Sequence, residues 1–341
     1  MKIAVTGATG FIGSHLVRHF ARQGHSIIAT SRMPHPPAEL TNLAEHIPWD
    51  ITQPPTSIPE VDVLIHAAAS VEFSGQRSIM YQANVEGTKN VLMWGQKAKQ
   101  WIFVSSSSVY PTTTRGEVKV ESLAGTVMPG TYYGITKLAA EKIVHELAGD
   151  RAVTILRPHA VYGPGDRHLL PSLLRSIRGG KMMMVGDGSN VFSITHIGNF
   201  CEAISAAISM PTPGVRTYNI ADATPLPLEH IIQHIFDDLQ VKVRFRHLPY
   251  WLATIMGTVS EQGMKMGRHK PILLTRDLAT RLSHQWIVSI TSAQRELGYQ
   301  PTLTLDDGSP DIARWVQSLG GIDRLKESNG QHSWLGDVTT Y

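Results

Sequence analysis

The chain holds a single cysteine, Cys201, in 341 residues, so no intrachain disulfide can form and its stability must come from packing. Cys201 lies in the apolar-periodic run "IGNFCEAISAAI" and is expected to be a small core side chain, not a nucleophile. Charge of either sign is also sparse. With 31 Lys and Arg against 28 Asp and Glu, the net charge is +3, and no dense basic block of the kind a nucleic-acid surface needs is present. Long apolar runs are missing as well. The nearest, "LPYWLATIMGTV" from Leu248 to Val259, falls short of the roughly 20 residues of a spanning helix. It is expected to be a helix packed against the protein or its substrate, with a membrane-surface or oligomer contact as the alternative. The sixteen histidines show no "HExxH" or comparable ligand spacing, so no metal site is expected. A first strand at Lys2 leaves no room for a signal peptide, and the cytoplasm is the expected location.

What is present is an alternation. Ile3 and Val5, the apolar spacing of Ile12, Leu16 and Phe20, and the β-prone Ile27 to Thr30 read as strand, glycine turn, helix and strand. "VLIH", a long helix from Ala83 to Ala98, "WIFVS", a helix from Tyr133 to Leu147, and "AVTILRP" continue the pattern. Short apolar strands separated by helices predict an α/β fold with a doubly wound parallel Rossmann sheet. Residues 1–157 are assigned to this dinucleotide-binding domain, with strands near 192–196 and 216–220 returning to it. Residues 158–185 and 222–320 form a smaller, mostly helical substrate lobe, and 321–341 is a tail without a readable signal.

"TGATGFIG" sets Gly7, Gly10 and Gly13, with Thr9, Phe11 and Ile12 between them, at the junction of the first strand and helix. A turn this tight brings backbone N–H groups and a helix N-terminus against a pyrophosphate, and a Cβ would obstruct it. At the end of the second strand, Ser31 and Arg32 replace the acidic residue that grips the ribose of NAD. NADP(H) is therefore favoured, and NAD(H) stays open because Arg32 also fits a plain surface charge. Asp50, beside Ile51, is placed to accept from the adenine amino group or to serve as an ordinary loop aspartate. Ala67, Ala68 and Ala69 allow close backbone approach to the nicotinamide half. Asn84 is a candidate for holding backbone or water near the site, or for capping or bending a helix.

The acid/base chemistry points to "FVSSSSVY" and "GTYYGITK". Tyr133 and Lys137 are four apart and share a helix face one turn apart, whereas Tyr132 has Thr136 at that spacing. A nearby ammonium is expected to lower the phenol pKa by stabilising phenolate. Tyr133 is thus the tyrosine with a helper in register.

Taken with "HAAA", "NVEGTKN", "LRPHAVYGPGD", "GDGSNVFSITHIGN" and "TSAQRELGYQP", these motifs resemble the extended short-chain dehydrogenase/reductase superfamily. Within it the chain is similar to the NAD(P)-dependent epimerase/dehydratase group and its 3β-hydroxysteroid dehydrogenase-like members, over about residues 1–317. The resemblance implies that Ser106 binds the substrate oxygen, Tyr133 is the acid/base and Lys137 assists it and binds the nicotinamide ribose. Ser105 and Ser107 flank the serine and would exchange with it under a small register error. Pro158, Ala160 and Val161 would line the carboxamide side. A homodimer through the helices Asn84 to Ala98 and Tyr133 to Leu147 is also implied.

The substrate is less plain. Nucleotide-sugar relatives carry an Asn and an Arg at the positions occupied here by Ala160 and by Val191 and Phe192, and losing both from a diphosphate site is costly. The expectation is hydride transfer to or from an apolar small-molecule ketone or secondary alcohol, steroid-, terpenoid- or keto-acyl-like, with Val71, Ser107, His159, Met183 and Phe192 lining the pocket. Nucleotide-sugar epimerisation or dehydration and a non-catalytic NADP-binding role are the alternatives.

Overall fold

The computed structural model describes residues 1–71, 77–112, 117–265, 279–280 and 282–327. Its first part alternates β1 (Lys2–Thr6), α1 (Phe11–Arg22), β2 (Ser26–Ser31), α2 (Ala38–Thr41), β3 (Glu45–Pro48) and β4 (Val63–His66). Then follow α3 (Arg77–Tyr81), a π-helical turn (Gln82–Glu86), α4 (Gly87–Trp94), β5 (Gln100–Val104), α5 (Tyr132–Leu147) and β6 (Ala152–Pro158). The second part contains β7 (Val161–Tyr162), α6 (Leu169–Ser176), β8 (Lys181–Val185), β9 (Val191–Phe192), β10 (Thr195–His196), α7 (Ile197–Ser209) and β11 (Gly214–Ile220). It continues with β12 (Leu226–Pro227), α8 (Leu228–Asp238), β13 (Arg244–Leu248), α9 (Tyr250–Lys265), α10 (Thr291–Leu297), α11 (Leu305–Ser318) and α12 (Ile322–Glu327).

Seven strands form one parallel sheet in the order β11-β6-β5-β4-β1-β2-β3. The chain starts in the middle and winds outward in both directions, so β1 and β4 flank the switch point where a ligand crevice opens at the carboxyl ends. Apolar residues cover both faces. Leu16, Val17 and Phe20 of α1 pack with Phe200 and Ile204 of α7 on one side, and Val91 and Leu92 of α4 with Ala140 and Val144 of α5 on the other. A separate cluster joins Tyr110, Tyr162, Phe192 and Trp286 to Ile231, Ile235 and Phe236 of α8 and to Ile312 and Trp315 of α11. It holds the second lobe together.

Two expectations about elements need correction. The segment 192–196 does not return to the large sheet: β9 pairs with β12 and β10 with β7 in two small sheets, while only β11 extends the main one. The helix expected from Ala83 to Ala98 ends at Trp94 and follows the π turn Gln82–Glu86, which contains Asn84. The tail contains α12, and residues 328–341 lie outside the described residues. Cys201 is buried, as expected, and burial pushes its thiol well up from the ordinary range. Among the described residues no helix is long and apolar enough to cross a membrane.

Phe200 is fully buried between α7 and the sheet. Its replacement by Ala removes a large side chain from a packed layer, so denaturant unfolding of Phe200→Ala should show a loss of about 3–5 kcal/mol; a loss under about 1 kcal/mol would contradict this packing role.

Candidate active site

The glycine turn is shaped by close approach. Gly7 has φ +70°, and a Cβ on Gly13 would sit 2.1 Å from the Gly7 carbonyl oxygen. No side chain larger than hydrogen fits there. Gly10 stands at the N-cap of α1 without a capping side chain, and the first turn of the helix carries no acidic residue. This combination suits an anionic pyrophosphate, so the cradle fits the dinucleotide that the motif implies. The loop after β7 closes over it: Arg167 Nη2 donates to the Thr9 carbonyl at 2.8 Å, and His15 Nε2 lies 2.8 Å from the Pro164 carbonyl.

Beside the turn, the Ala68 amide donates to Thr6 Oγ1 at 3.2 Å. Asn84 is buried and receives the Ser70 amide at 2.7 Å while its own amide donates to the Ser70 carbonyl and to Thr136 Oγ1. It therefore ties Ser70 to α5. Asp50 Oδ1 accepts from both the amide and the hydroxyl of Thr52, and Ile51 is buried with its carbonyl bonded to Asn90. That arrangement is a local turn and commits one Asp50 oxygen.

α5 begins at Thr131, whose hydroxyl accepts from the Gly134 amide at 3.0 Å. Gly134 lets the helix press against the serine loop, because a Cβ there would lie 2.0 Å from the Ser108 carbonyl oxygen. The loop's serines are then sorted by their partners. Ser105 Oγ donates to Glu141 Oε1 at 2.5 Å, and Ser107 Oγ bonds His159 Nδ1 at 2.6 Å. Ser106 Oγ accepts from the Ser108 amide at 3.1 Å and lies beside the Tyr133 phenol.

The electrostatics differ from expectation. Burial pushes the Tyr133 phenol up to about 12, partly offset by its hydrogen bond with Ser106. Lys137 is on the same helix face, yet its Nζ donates to the Val104 carbonyl at 2.6 Å and lies 4.3 Å from the Phe103 ring centroid. It does not lower the phenol pKa in this geometry. Desolvation brings Lys137 itself down to about 7, with Glu141 opposing. Tyr133 is accordingly a protonated phenol at neutral pH.

Sequence reasoning missed the group that fixes these parts. Glu141 and Arg157 form a buried, two-pronged pair, Arg157 Nη2 to Glu141 Oε2 at 2.7 Å and Nε to Oε1 at 2.9 Å. Arg157 Nη1 also donates to Tyr110 Oη and the Glu121 carbonyl. Glu141 extends the Tyr133 and Lys137 spacing by one more turn of α5, and that periodicity was the available signal. Trp286 was missed without any local signal. Its ring stacks on His159 with centroids 5.7 Å apart, Phe192 covers His159 at 6.3 Å, and the buried Lys119 ammonium lies 5.5 Å from the Trp286 centroid.

Of the pocket residues, Ser107, His159 and Phe192 come together, and Val71 is half-buried at the edge of a described segment. Met183 is a correction. Strand alternation turns Met182 and Met184 into the core with Phe192 and Trp286 and leaves Met183 exposed. Pro158 is buried, while Val161 and Ala160 are half-buried. Ala160 keeps a left-handed φ of +43° that suits asparagine better than alanine. Among the described residues no group of three or more His, Cys, Asp or Glu side chains is arranged to hold a metal ion.

A dinucleotide cradle beside a Ser, Tyr and Lys group defines a nicotinamide-linked oxidoreductase class of enzyme. The chain belongs to the NAD dependent epimerase/dehydratase family, whose pattern matches residues 3–221. It is 28% identical to the 2-alkyl-3-oxoalkanoate reductase of Stenotrophomonas maltophilia, over 90% of this chain and 97% of that protein. It is 26% identical to the human sterol-4-alpha-carboxylate 3-dehydrogenase, decarboxylating, over 95% and 90%. The solved UDP-glucuronic acid 4-epimerase of Bacillus cereus in complex with NAD shares the fold, with a TM-score of 0.72 at 23% identity, covering 94% of this chain and 99% of that one.

The NADP(H) preference is overturned. Solved structures of this fold described with a nicotinamide cofactor carry NAD. Ser31 Oγ is engaged within the protein, by His46 Nε2 at 2.9 Å and the Met33 amide, and Arg32 is exposed to solvent.

Two outcomes test the site's electrostatics. Glu141→Gln leaves the Arg157 charge buried without its counter-charge and should cost about 3–5 kcal/mol in chemical unfolding; a near-neutral change would show that the pair does not hold α5 to β6. For Lys137, the unfolded group titrates near 10.5 and the folded one near 7. Between those values the unfolded chain binds the extra proton, so stability rises with pH, and the destabilisation is fully present below about 7. Lys137→Met should therefore be more stable than wild type near neutrality, with a gap that narrows toward alkaline pH. A gap that is constant with pH would contradict the shift.

Proposed function

We propose that the protein catalyses NAD-linked hydride transfer at a carbonyl or secondary carbinol carbon whose oxygen rests against Ser106 and Tyr133. The sorting of the three serines carries this reading, since it leaves Ser106 as the hydroxyl paired with Tyr133. The glycine turn from Gly7 to Gly13, the loop from Ala67 to Ala69, and Lys137 with Pro158 to Val161 would hold the NAD, whose nicotinamide supplies or accepts the hydride. Ser106 orients the substrate oxygen. Tyr133, kept as a phenol by burial, donates its proton to that oxygen in the reducing direction. In the oxidising direction Tyr133 must first lose its proton, so that its phenolate accepts the proton of the carbinol, and a charged Lys137 one turn away would stabilise that phenolate.

For the substrate, the family and the solved relatives support nucleotide-sugar conversion more than the steroid- or terpenoid-like molecule expected from the sequence. The same residues serve epimerisation, in which a sugar carbinol is oxidised and then reduced on its other face. One specific observation favours a second reading, a ketone or alcohol with an apolar body. Phe192 stands where a diphosphate-binding arginine would be, and with Trp286 it encloses His159 in an aromatic wall. The full-length likeness to a 3-oxoalkanoate reductase and a sterol dehydrogenase points the same way, and it is the support for the steroid-dehydrogenase-like branch. Self-association through α4 and α5 belongs to the proposal, supported by the exposed Met93 and Leu147 on those helices.

The test is an NADH absorbance assay with UDP-sugar ketones, 3-oxoacyl compounds and ketosteroids, with UDP-sugar epimerisation followed separately by product analysis. Turnover confined to UDP-sugars selects the first reading, and turnover confined to the apolar ketones the second. Tyr133→Phe should lower turnover of the accepted substrate by about 10²–10⁴-fold. Retained turnover in that variant, or a strong preference for NADPH, would contradict the account.

A further inference from the structure

We infer that α9 and the strand before it form a docking surface for an anionic lipid bilayer. α9 is apolar nearly all round, but only one side is covered: Ala253 and Gly257 are buried, with Ala253 packed against Val185 and Leu248. The opposite side exposes Trp251, Ile255, Met256 and Val259, with relative exposures of 64% at Trp251 and 63% at Val259. Trp251, Ile255 and Val259 recur at intervals of four along the helix, with Met256 beside Ile255, and so form one stripe. Isolated exposed apolar side chains are ordinary, whereas a continuous stripe marks a contact face.

The charge beside the stripe selects the partner. From Val241 to Val259 the chain contains Lys242, Arg244 and Arg246 and no acidic residue. β13 lies in parallel register with β8, placing Lys181 opposite Arg244 and Met183 opposite Arg246, and all four are exposed. His247 is committed to Glu229 at 2.6 Å, and Asp187 is the exposed acid that follows β8. A basic strand pair with an exposed methionine, joined through Pro249 to an apolar helix that leads with tryptophan, has the composition of an interfacial anchor. Arginine and lysine there reach lipid phosphates while their stems lie on apolar surface.

A second copy of the chain fits less well. A two-fold contact sets a patch against itself, and here it would bring Lys181, Arg244 and Arg246 of each copy toward the same residues of the other. A bilayer supplies the opposite charge as well as an apolar layer.

Vesicle flotation of the full-length protein tests this, with phosphatidylcholine alone and with phosphatidylcholine mixed with phosphatidylglycerol. The expected result is binding to the anionic vesicles, weakened by salt, and little binding to the neutral ones. Arg244→Glu with Arg246→Glu should reduce it on the order of a hundredfold or more, and Trp251→Glu with Ile255→Glu should also release the protein. Thermal unfolding checks that the variants fold. The wild-type salt dependence and lipid preference decide the matter even if a variant does not. Absence of wild-type binding, equal binding to neutral vesicles, or light scattering showing a dimer that Trp251→Glu splits into monomers would each overturn the inference.

Discussion

The buried pair of Glu141 and Arg157 is the constraint on which the site depends. Two charges removed from water are costly unless each lone pair and proton is met, and here the partners are Ser105, Tyr110, the Glu121 carbonyl and each other. These contacts lock α5 to the end of β6 and draw one serine of the loop inward. Because Ser105 is taken by Glu141 and Ser107 by His159, Ser106 is the one that meets Tyr133. The ion pair thus engages Ser105 and leaves Ser106 beside Tyr133.

Gly134 provides the complementary constraint from the other side. It allows the first turn of α5 to approach the Ser108 carbonyl more closely than any side chain would permit. Tyr133 is then buried enough to remain a phenol, and Lys137 enough to lie near its titration point. In the proposed function, the same desolvation that destabilises the folded chain would prepare Tyr133 as a proton donor and Lys137 as a cation that responds to what binds beside it. Stability and chemistry are coupled through this one helix.

Features encoded within a few residues were legible in the sequence. The glycine turn, the alternation of strands and helices, and the one-turn spacing of Tyr133 and Lys137 all follow from local periodicity and steric need. Glu141 was equally within reach at the next turn. Features that depend on where a side chain finally turns were not. Met183 was assigned to the pocket although alternation gives its neighbours that face, and the expected lowering of the Tyr133 pKa failed because Lys137 found the Val104 carbonyl. Trp286 reaches His159, and Lys119 reaches Trp286, from separate parts of the chain, and no local pattern announces such a meeting. Ser31 and Arg32 misled about the cofactor because an exposed arginine and a serine bonded to His46 resemble a 2′-phosphate site only on paper.

The central claim is that hydride moves between NAD and a substrate carbon whose oxygen is served by Ser106 and Tyr133. Its most direct measurement is isotope tracing by mass spectrometry, with NADH deuterated at nicotinamide C4 and the ketone that the enzyme accepts. The account predicts one deuterium on the former carbonyl carbon of the product, with transfer suppressed in Ser106→Ala as well as in Tyr133→Phe. Product formed without deuterium from either face of the labelled cofactor would contradict it.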